Sequence, residues 1–369
     1  MKAVIDRAKF LEAFARAAMF TVSKNAKSEL GYVLFNATGE SVSLRATDLE
    51  CSVVLDCMDS VSVESRGAAL LEPAKFAEVL RESQSESMII ETVGTMVVVS
   101  SARTEFKLPS PAPDGYPVDK SVMPEKQVEV RCDLFRELID SVHYACDEDN
   151  NRYALGCVRM ELDGDSLLAV ATDGRRLAVS SRGASRVGGI ESFGALYTIR
   201  AARKSNRIIP ADTCPLRFAA DANKTFAAWP GGRIIAQQCE GRYPKWRDIF
   251  KEASSHDLTV DMPVGVLHAA VRQAAIACST ESRGIDFRFT EGTASLKAAT
   301  SERGQSHIEF PAAYDGRPVS LRLDSALLRE FLRSLKPEDN VTLSLKDSKS
   351  AAFFECAATR FVLMPLAQS

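Results

Sequence analysis

The apolar positions of the chain fall into stripes that repeat. Phe10, Leu11, Phe14, Ala15 and Ala18 keep a spacing of i, i+1, i+4, i+5, i+8, which places them on one face of a helix. The same spacing returns at Leu134, Phe135, Leu138, Ile139 and Val142, and again at Val266, Leu267, Ala270, Val271 and Ala274. A second helix is expected in each third. One opens on Glu72-Pro73-Ala74 and continues through Phe76, Val79 and Leu80, with proline where a missing N–H costs nothing. Another starts at Asp324, a candidate N-cap, and runs through Leu327, Leu328, Phe331, Leu332 and Leu335. Its counterpart in the middle, Thr198 to Ile209, is basic and poor in apolar periodicity.

Alternating segments mark the strands. Ser43-Leu44-Arg45-Ala46-Thr47-Asp48 and Leu168-Ala169-Val170-Ala171-Thr172-Asp173 both read as a half-buried strand ending in a polar turn. Ser295 to Thr300 is the third copy, slipped by one residue. The first two thirds also close alike, on Asp114-Gly115-Tyr116-Pro117 and Glu240-Gly241-Arg242-Tyr243-Pro244. Each third therefore predicts two helices and about eight strands, a two-layer α+β unit with helices on one side of its sheets. Polar joints near Val118–Gln127 and Phe250–Asp257 divide the chain into 1–122, 127–250 and 257–369. The 369 residues allow about 123 per unit, an ordinary domain size.

Composition narrows the chemistry. No apolar run approaches the ~20 residues that span a bilayer, and the first residues, Met1 to Asp6, predict no secretory leader. The nine cysteines lie far apart without a C-x-x-C pair, which predicts reduced, mostly buried thiols in a cytosolic protein and no metal site. With four histidines and no H-E-x-x-H, G-x-S-x-G, P-loop or G-x-G-x-x-G, the sequence offers no catalytic constellation and no cofactor motif.

Ala171-Thr172-Asp173-Gly174-Arg175-Arg176-Leu177-Ala178-Val179 resembles the most characteristic stretch of the bacterial DNA sliding clamps, the beta subunits of DNA polymerase III. Arg152 to Gly156, Glu240 to Pro244, Thr47 to Glu50 and Val362 to Leu366 add to the resemblance in the family's order and spacing, over the whole chain. The resemblance implies three tandem clamp domains per chain and a head-to-tail homodimeric ring of pseudo-sixfold symmetry around duplex DNA. It implies a non-catalytic processivity factor of the cytoplasm and nucleoid that tethers the polymerase III alpha subunit, the clamp loader and other motif-bearing proteins, without cofactor or membrane.

Charge agrees with helices that face DNA. The windows 6–19, 72–84, 131–146, 198–209, 264–276 and 322–336 hold 16 Lys and Arg against 10 Asp and Glu, in a chain whose net charge is -3. A cationic inner surface in an acidic protein suits sequence-independent phosphate contact. The DNA-facing candidates are Lys24, Lys27, Arg152, Arg200, Arg203, Lys204, Arg207, Arg329 and Arg333. The resemblance places a peptide pocket at Leu155, Thr172, Gly174, Arg175, Arg176, Leu177, Pro244, Arg247, Ile249, Val362, Leu363, Met364, Pro365 and Leu366. Their apolar members would take aliphatic or aromatic anchors, with Thr172 and the backbone beside Gly174 orienting the peptide. Arg175 stands where the family often has histidine, and Asp248 where it often has a basic residue. The subunit contact is expected at Arg103, Phe106 and Lys107 on one edge and Ile276, Glu302 and Glu309 on the other. A clamp-like paralogue that scaffolds proteins without encircling DNA is the alternative reading.

Overall fold

The computed structural model describes residues 1–22, 27–38, 41–147, 154–253, 256–281 and 283–367. Lys24 and Arg152 lie outside the described residues. The helices are α1 (Arg7–Ala18), α2 (Pro73–Glu82), α3 (Cys132–Asp140), α4 (Ile199–Ile208), α5 (Arg247–Ala253), α6 (Val264–Ala274) and α7 (Ser325–Arg333). Two fall in each third as the stripes predict. The extra one, α5, occupies a stretch where the sequence suggests only a polar joint, and it straddles the expected boundary at 250. Among the described residues the first two thirds carry nine strands each and the last carries eight. No helix among them is long and apolar enough to cross a membrane.

Local chemistry starts and aims these helices. Asp6 caps α1 by accepting from the Lys9 N–H at 3.1 Å, Glu72 caps α2 through Ala74 and Lys75, and Asp324 caps α7 through Ala326 and Leu327. The buried stripes then meet. Phe10 of α1 packs edge-on to Phe35 at 5.3 Å, and Phe14 lies 4.9 Å from Phe76 of α2. Phe331 of α7 stacks on Phe361 at 4.4 Å. The weak pattern of α4 still makes a helix, because small Ala201, Ala202 and Ser205 fill the middle of its buried face and Ile199 and Ile208 anchor its two ends. Ser205 spends its hydroxyl on the Ala201 carbonyl at 2.8 Å.

Among the described residues the strand pairings are all antiparallel and form four sheets. A nine-stranded sheet takes four strands from the first third and five from the middle third. They join where Gly232–Gln237 pairs with Cys51–Asp56, Ile234 opposite Val53. An eight-stranded sheet joins the middle and last thirds where Arg176–Gly183 pairs with Thr359–Leu363, Leu177 opposite Val362. A five-stranded sheet belongs to the first third alone and ends on the edge strand Thr104–Pro109. A four-stranded sheet belongs to the last third alone and ends on the edge strand Gly304–Pro311.

The chain accordingly divides into two compact units. The first holds Met1–Arg136, Ser185–Glu191 and Arg200–Gln238, and the second holds Glu137–Ala184, Ser192–Ile199 and Cys239–Ser369.

The cysteines correct the sequence reading. Cys157 and Cys239 are joined Sγ to Sγ, with Cα atoms 6.5 Å apart. The pair is 82 residues apart in sequence. The fold brings it together because the Cys239 N–H donates to the Leu196 carbonyl, and the strand of Leu196 pairs with the strand that Cys157 opens. Cys51, Cys57, Cys132, Cys146, Cys214, Cys278 and Cys356 take no part in a disulfide. Burial pushes the Cys51 and Cys57 thiols up to about 12, so they stay protonated at neutral pH.

Candidate functional site

A cleft of about 760 Å³ lies within the second unit. Its apolar lining includes Leu155, Leu177, Ile249, Val362 and Met364, all implied by the family resemblance, together with Trp246, Tyr243 and Ala351. Met364 is 48% exposed at the cleft. Trp246 packs with Leu168, Val170, Val179 and Phe353 beneath the cleft. Exposed Arg175, Arg242 and Lys245 give the lining a cationic component. Arg242, Tyr243, Lys245 and Trp246 were missing from the sequence-derived set. A signal was there: a tryptophan, one of two in the chain, sits among cations just after Pro244.

One polar turn holds the cleft's edge. Thr172 Oγ1 donates to the Arg176 carbonyl at 2.6 Å and accepts from the Gly174 N–H at 3.1 Å. Its hydroxyl is therefore spent inside the turn, contrary to the expectation that it orients a peptide. Asp173 Oδ1 accepts from the N–H groups of Arg175 and Arg176, and Gly174 takes φ +86°. Arg176 is nearly buried. Its guanidinium reaches Asp173 Oδ2 at 3.0 Å, Glu330 at 2.5 Å and the Tyr144 carbonyl, and it lies over the Tyr144 ring. It is a brace of the cleft more than a free contact.

Four other residues expected in the pocket lie outside its lining. Arg247 stacks on Trp246 at 4.3 Å and pairs with Glu161, which turns its charge away. Leu363 is fully buried core. The last strand ends at Leu363, and the tail with Pro365 and Leu366 is drawn off by a hydrogen bond from the Leu366 N–H to the Arg322 carbonyl at 2.8 Å. Pro244 and Gly174 do line the cleft.

The cations expected to face DNA differ in exposure. Within α1, α2, α3, α4, α6 and α7 there are 13 Lys and Arg against 7 Asp and Glu, a net charge of +6. Lys204 is only 17% exposed; it pairs with Asp48 at 2.8 Å and caps the Phe20 ring at 4.6 Å. That removes it from the solvent-facing set. Arg200 stays 56% exposed while pairing with Glu50 at 2.7 Å. Arg203, Arg207, Arg329, Arg333 and Lys27 are exposed. His268 of α6 is held below its ordinary value of 6.5 by burial and by Arg272, Arg329 and Arg333, which marks a dense positive field.

The residues expected at the subunit contact are exposed. Arg103 and Lys107 are exposed and Phe106 is 37% exposed, at or beside the edge strand Thr104–Pro109. Ile276 is 72% exposed. Glu302 is exposed, and Glu309, on the edge strand Gly304–Pro311, faces His307 at 3.2 Å. Among the described residues, one group could collect a metal: Cys132, Asp212 and Cys214. Burial pushes both thiols up, and Asp212 adds to the rise at Cys214, so an ion would have to displace two firmly held protons.

Comparison with known proteins agrees along the whole chain. The signature of the DNA polymerase III beta subunit N-terminal domain matches residues 1–120, and that of its central domain matches residues 129–245. The beta sliding clamp of Escherichia coli K12 is 24% identical over 341 residues, covering 91% of this chain and 92% of that one. The beta sliding clamp of Proteus mirabilis is 24% identical over 371 residues, covering 99% and 100%. The crystal structure of the DNA polymerase sliding clamp from Bacillus subtilis superposes with a TM-score of 0.92 at 15% identity, over 100% of both chains.

Proposed function

The chain belongs to the DNA polymerase III beta subunit family, the bacterial DNA sliding clamps, and from that premise we propose how its surfaces do the work. Two copies close head to tail into a ring around duplex DNA, and the ring tethers the replicative polymerase without catalysing a reaction. Each chain contributes three domains, 1–122, 127–250 and 257–369. The observation that carries this reading is charge segregation: six helices of net +6 in a chain of net -3. Phosphate contact by Arg200, Arg203, Arg207, Arg329, Arg333 and Lys27 is weak, exchangeable and blind to sequence, which is what sliding needs.

Ring closure would join the edge Thr104–Pro109 of one copy to the edge Gly304–Pro311 of the next. Unpaired strand edges are templates for pairing. Arg103 and Lys107 against Glu302 and Glu309 would fix register, and Phe106 and Ile276 would supply apolar burial. The cleft takes short peptides from the polymerase, the clamp loader and other partners. Leu155, Leu177, Ile249, Val362 and Met364 hold apolar anchors, and Arg175, Arg242 and Lys245 favour an acidic residue beside them.

Loading on nicked circular DNA tests the topology. The protein should stay on the circle through gel filtration and leave when the circle is linearised. Equal retention on circular and linear DNA would refute the ring. Sedimentation should give twice the chain mass of 40.2 kDa, and a strict monomer at micromolar concentration would count against closure.

A further inference from the structure

The Cys157–Cys239 bond lies directly behind the wall of the cleft. Cys239 leads through Glu240 and Gly241 into Arg242, Tyr243 and Pro244, which line it. Cys157 follows the turn Ala154–Gly156, whose Leu155 lines it too. Tyr243 connects the two places. It packs on the cluster of Ala154, Cys157 and Leu196 with Cys239, and also on the cluster of Leu177, Trp246 and Val362. Besides the packing of Tyr243 and Trp246, two hydrogen bonds among the described residues run from the segment 239–246 to the rest of the unit beyond α5. The Cys239 N–H donates to the Leu196 carbonyl at 3.3 Å, and the Tyr243 hydroxyl donates to the Val170 carbonyl at 2.9 Å. The disulfide is the one covalent tether.

We propose that Cys157–Cys239 is a reversible thiol–disulfide site that sets the affinity of the cleft for partner peptides, high when closed and low when open. The inference rests on the cleft being the peptide site. A chain that works on DNA inside a bacterium meets a thiol-rich solution, where disulfides are transient and regulatory more often than structural. Cys157 is fully buried and Cys239 is half-buried, so the reachable sulfur is that of Cys239. The thiolate of a small dithiol attacks Cys239 Sγ. The protein S–S bond breaks, its electron pair leaves on Cys157 Sγ, and that sulfur takes a proton. The second thiolate of the reductant attacks its own sulfur in the mixed disulfide, frees Cys239 as a thiol and departs as a cyclic disulfide. Two electrons enter the protein. A low-molecular-weight disulfide runs the exchange backwards and closes the site. Opening removes the tether from the segment carrying Arg242, Tyr243 and Pro244, so the wall must be ordered at the moment of binding, and affinity falls.

The test compares the full-length protein in two states, with the state read by alkylation and mass spectrometry of the Cys157 and Cys239 peptides. One state is treated with oxidised glutathione and the other with dithiothreitol. The probe is a fluorescein-labelled pentapeptide with leucine and phenylalanine anchors and one aspartate, followed by anisotropy. Reduction should weaken binding about tenfold, and should raise hydrogen exchange across 239–246 without peptide present. The Cys157→Ala/Cys239→Ala variant should bind like the reduced protein under both treatments. The single Cys239→Ser variant, changed only at the half-buried position, should do the same if the double variant does not fold. Equal affinity and equal exchange in proven open and closed states would overturn the proposal while leaving the peptide site standing. Failure to bind in either state would overturn both. Thiols at 157 and 239 that glutathione disulfide never joins would also overturn it.

Discussion

Replacing Arg176 by methionine would test whether the cleft depends on its buried brace. Arg176 and Asp173 are 6% and 7% exposed at their side chains, and their ion pair is 3.0 Å long. Removing one partner of a buried pair costs about 3–5 kcal/mol, because the other charge stays desolvated. Two features move the expectation to the low end. Asp173 keeps the N–H groups of Arg175 and Arg176 on Oδ1, and Glu330, 53% exposed, returns to water at a cost of at most about 1 kcal/mol. We expect Arg176→Met to destabilise the second unit by about 3 kcal/mol, roughly 6–12 °C in Tm for a unit of its size. Urea unfolding followed by Trp246 fluorescence, in a Trp229→Phe background, isolates that unit. Adding Asp173→Asn removes the stranded charge and should recover part of the loss. Peptide affinity should fall with Arg176→Met, since the Thr172–Arg176 turn loosens. Arg175→Met, at an exposed position of the same turn, should lower affinity and leave stability unchanged. A loss below about 1 kcal/mol for Arg176→Met, or a double variant as unstable as the single, would refute the brace.

Lys204 and Arg207 should separate structure from DNA contact. Lys204→Met leaves the nearly buried Asp48 with Arg200, 3.8 Å away, as its counter-charge and should cost about 2 kcal/mol of stability with little change in the salt dependence of DNA binding, whereas Arg207→Ala should lower the salt slope by about one and spare stability. Equal salt slopes for the two variants would contradict this division. Glu161 gives a pH prediction. Burial alone would raise its carboxyl, but hydrogen bonds and charge from Arg247 and Arg159 outweigh it and hold it below its ordinary 4.5. A depressed carboxyl stabilises the fold above that ordinary value and loses the contribution as pH falls through the depressed one. The stability gap between the wild type and Glu161→Gln should therefore shrink on acidification below pH 4.5, and a gap independent of pH would contradict the pairing. His268 should report phosphate. Duplex DNA that neutralises Arg272, Arg329 and Arg333 should raise its titration midpoint toward 6.5, read by NMR, and an unmoved midpoint at saturating DNA would place these cations away from the duplex.

What the sequence reveals and what it hides follow from the range of the interactions involved. The stripes at Phe10, Leu134 and Val266 were legible because a helix repeats its buried face every few residues. Even the basic segment at Arg200 folds as a helix, although Ala201, Ala202 and Ser205 in the middle of its core face carry little apolar signal between Ile199 and Ile208. The pocket's apolar members were legible through the family resemblance, while Trp246 and the escape of Pro365 and Leu366 depend on where a loop and a tail settle. The pairings of Ile234 with Val53 and of Leu177 with Val362, which decide how strands from different thirds share sheets, leave no local trace, because an alternating strand does not encode its partner. Cys157 and Cys239, 82 residues apart, are hidden for the same reason.

The Thr-Asp turn shows how one local signal can serve two ends. In both copies the threonine oxygen accepts from the N–H two residues on, and the aspartate Oδ1 accepts from the next two, with the intervening residue left-handed at Leu49 (φ 73°) and Gly174 (φ 86°). The turn is therefore structural first, and its function is assigned by the free oxygen. Asp48 Oδ2 takes Lys204 and anchors α4, whereas Asp173 Oδ2 takes Arg176 and shapes the edge of the cleft. At Leu49 the left-handed backbone strains a side chain, which glycine would relieve by about 1 kcal/mol. At Gly174 no atom lies within 4 Å of where a Cβ would stand. An alanine there would meet no steric obstacle from its neighbours and would carry only the backbone strain. Any larger loss of peptide binding in Gly174→Ala, measured beside a loss of stability near 1 kcal/mol, would mean that the bound peptide approaches this backbone more closely than a methyl group allows.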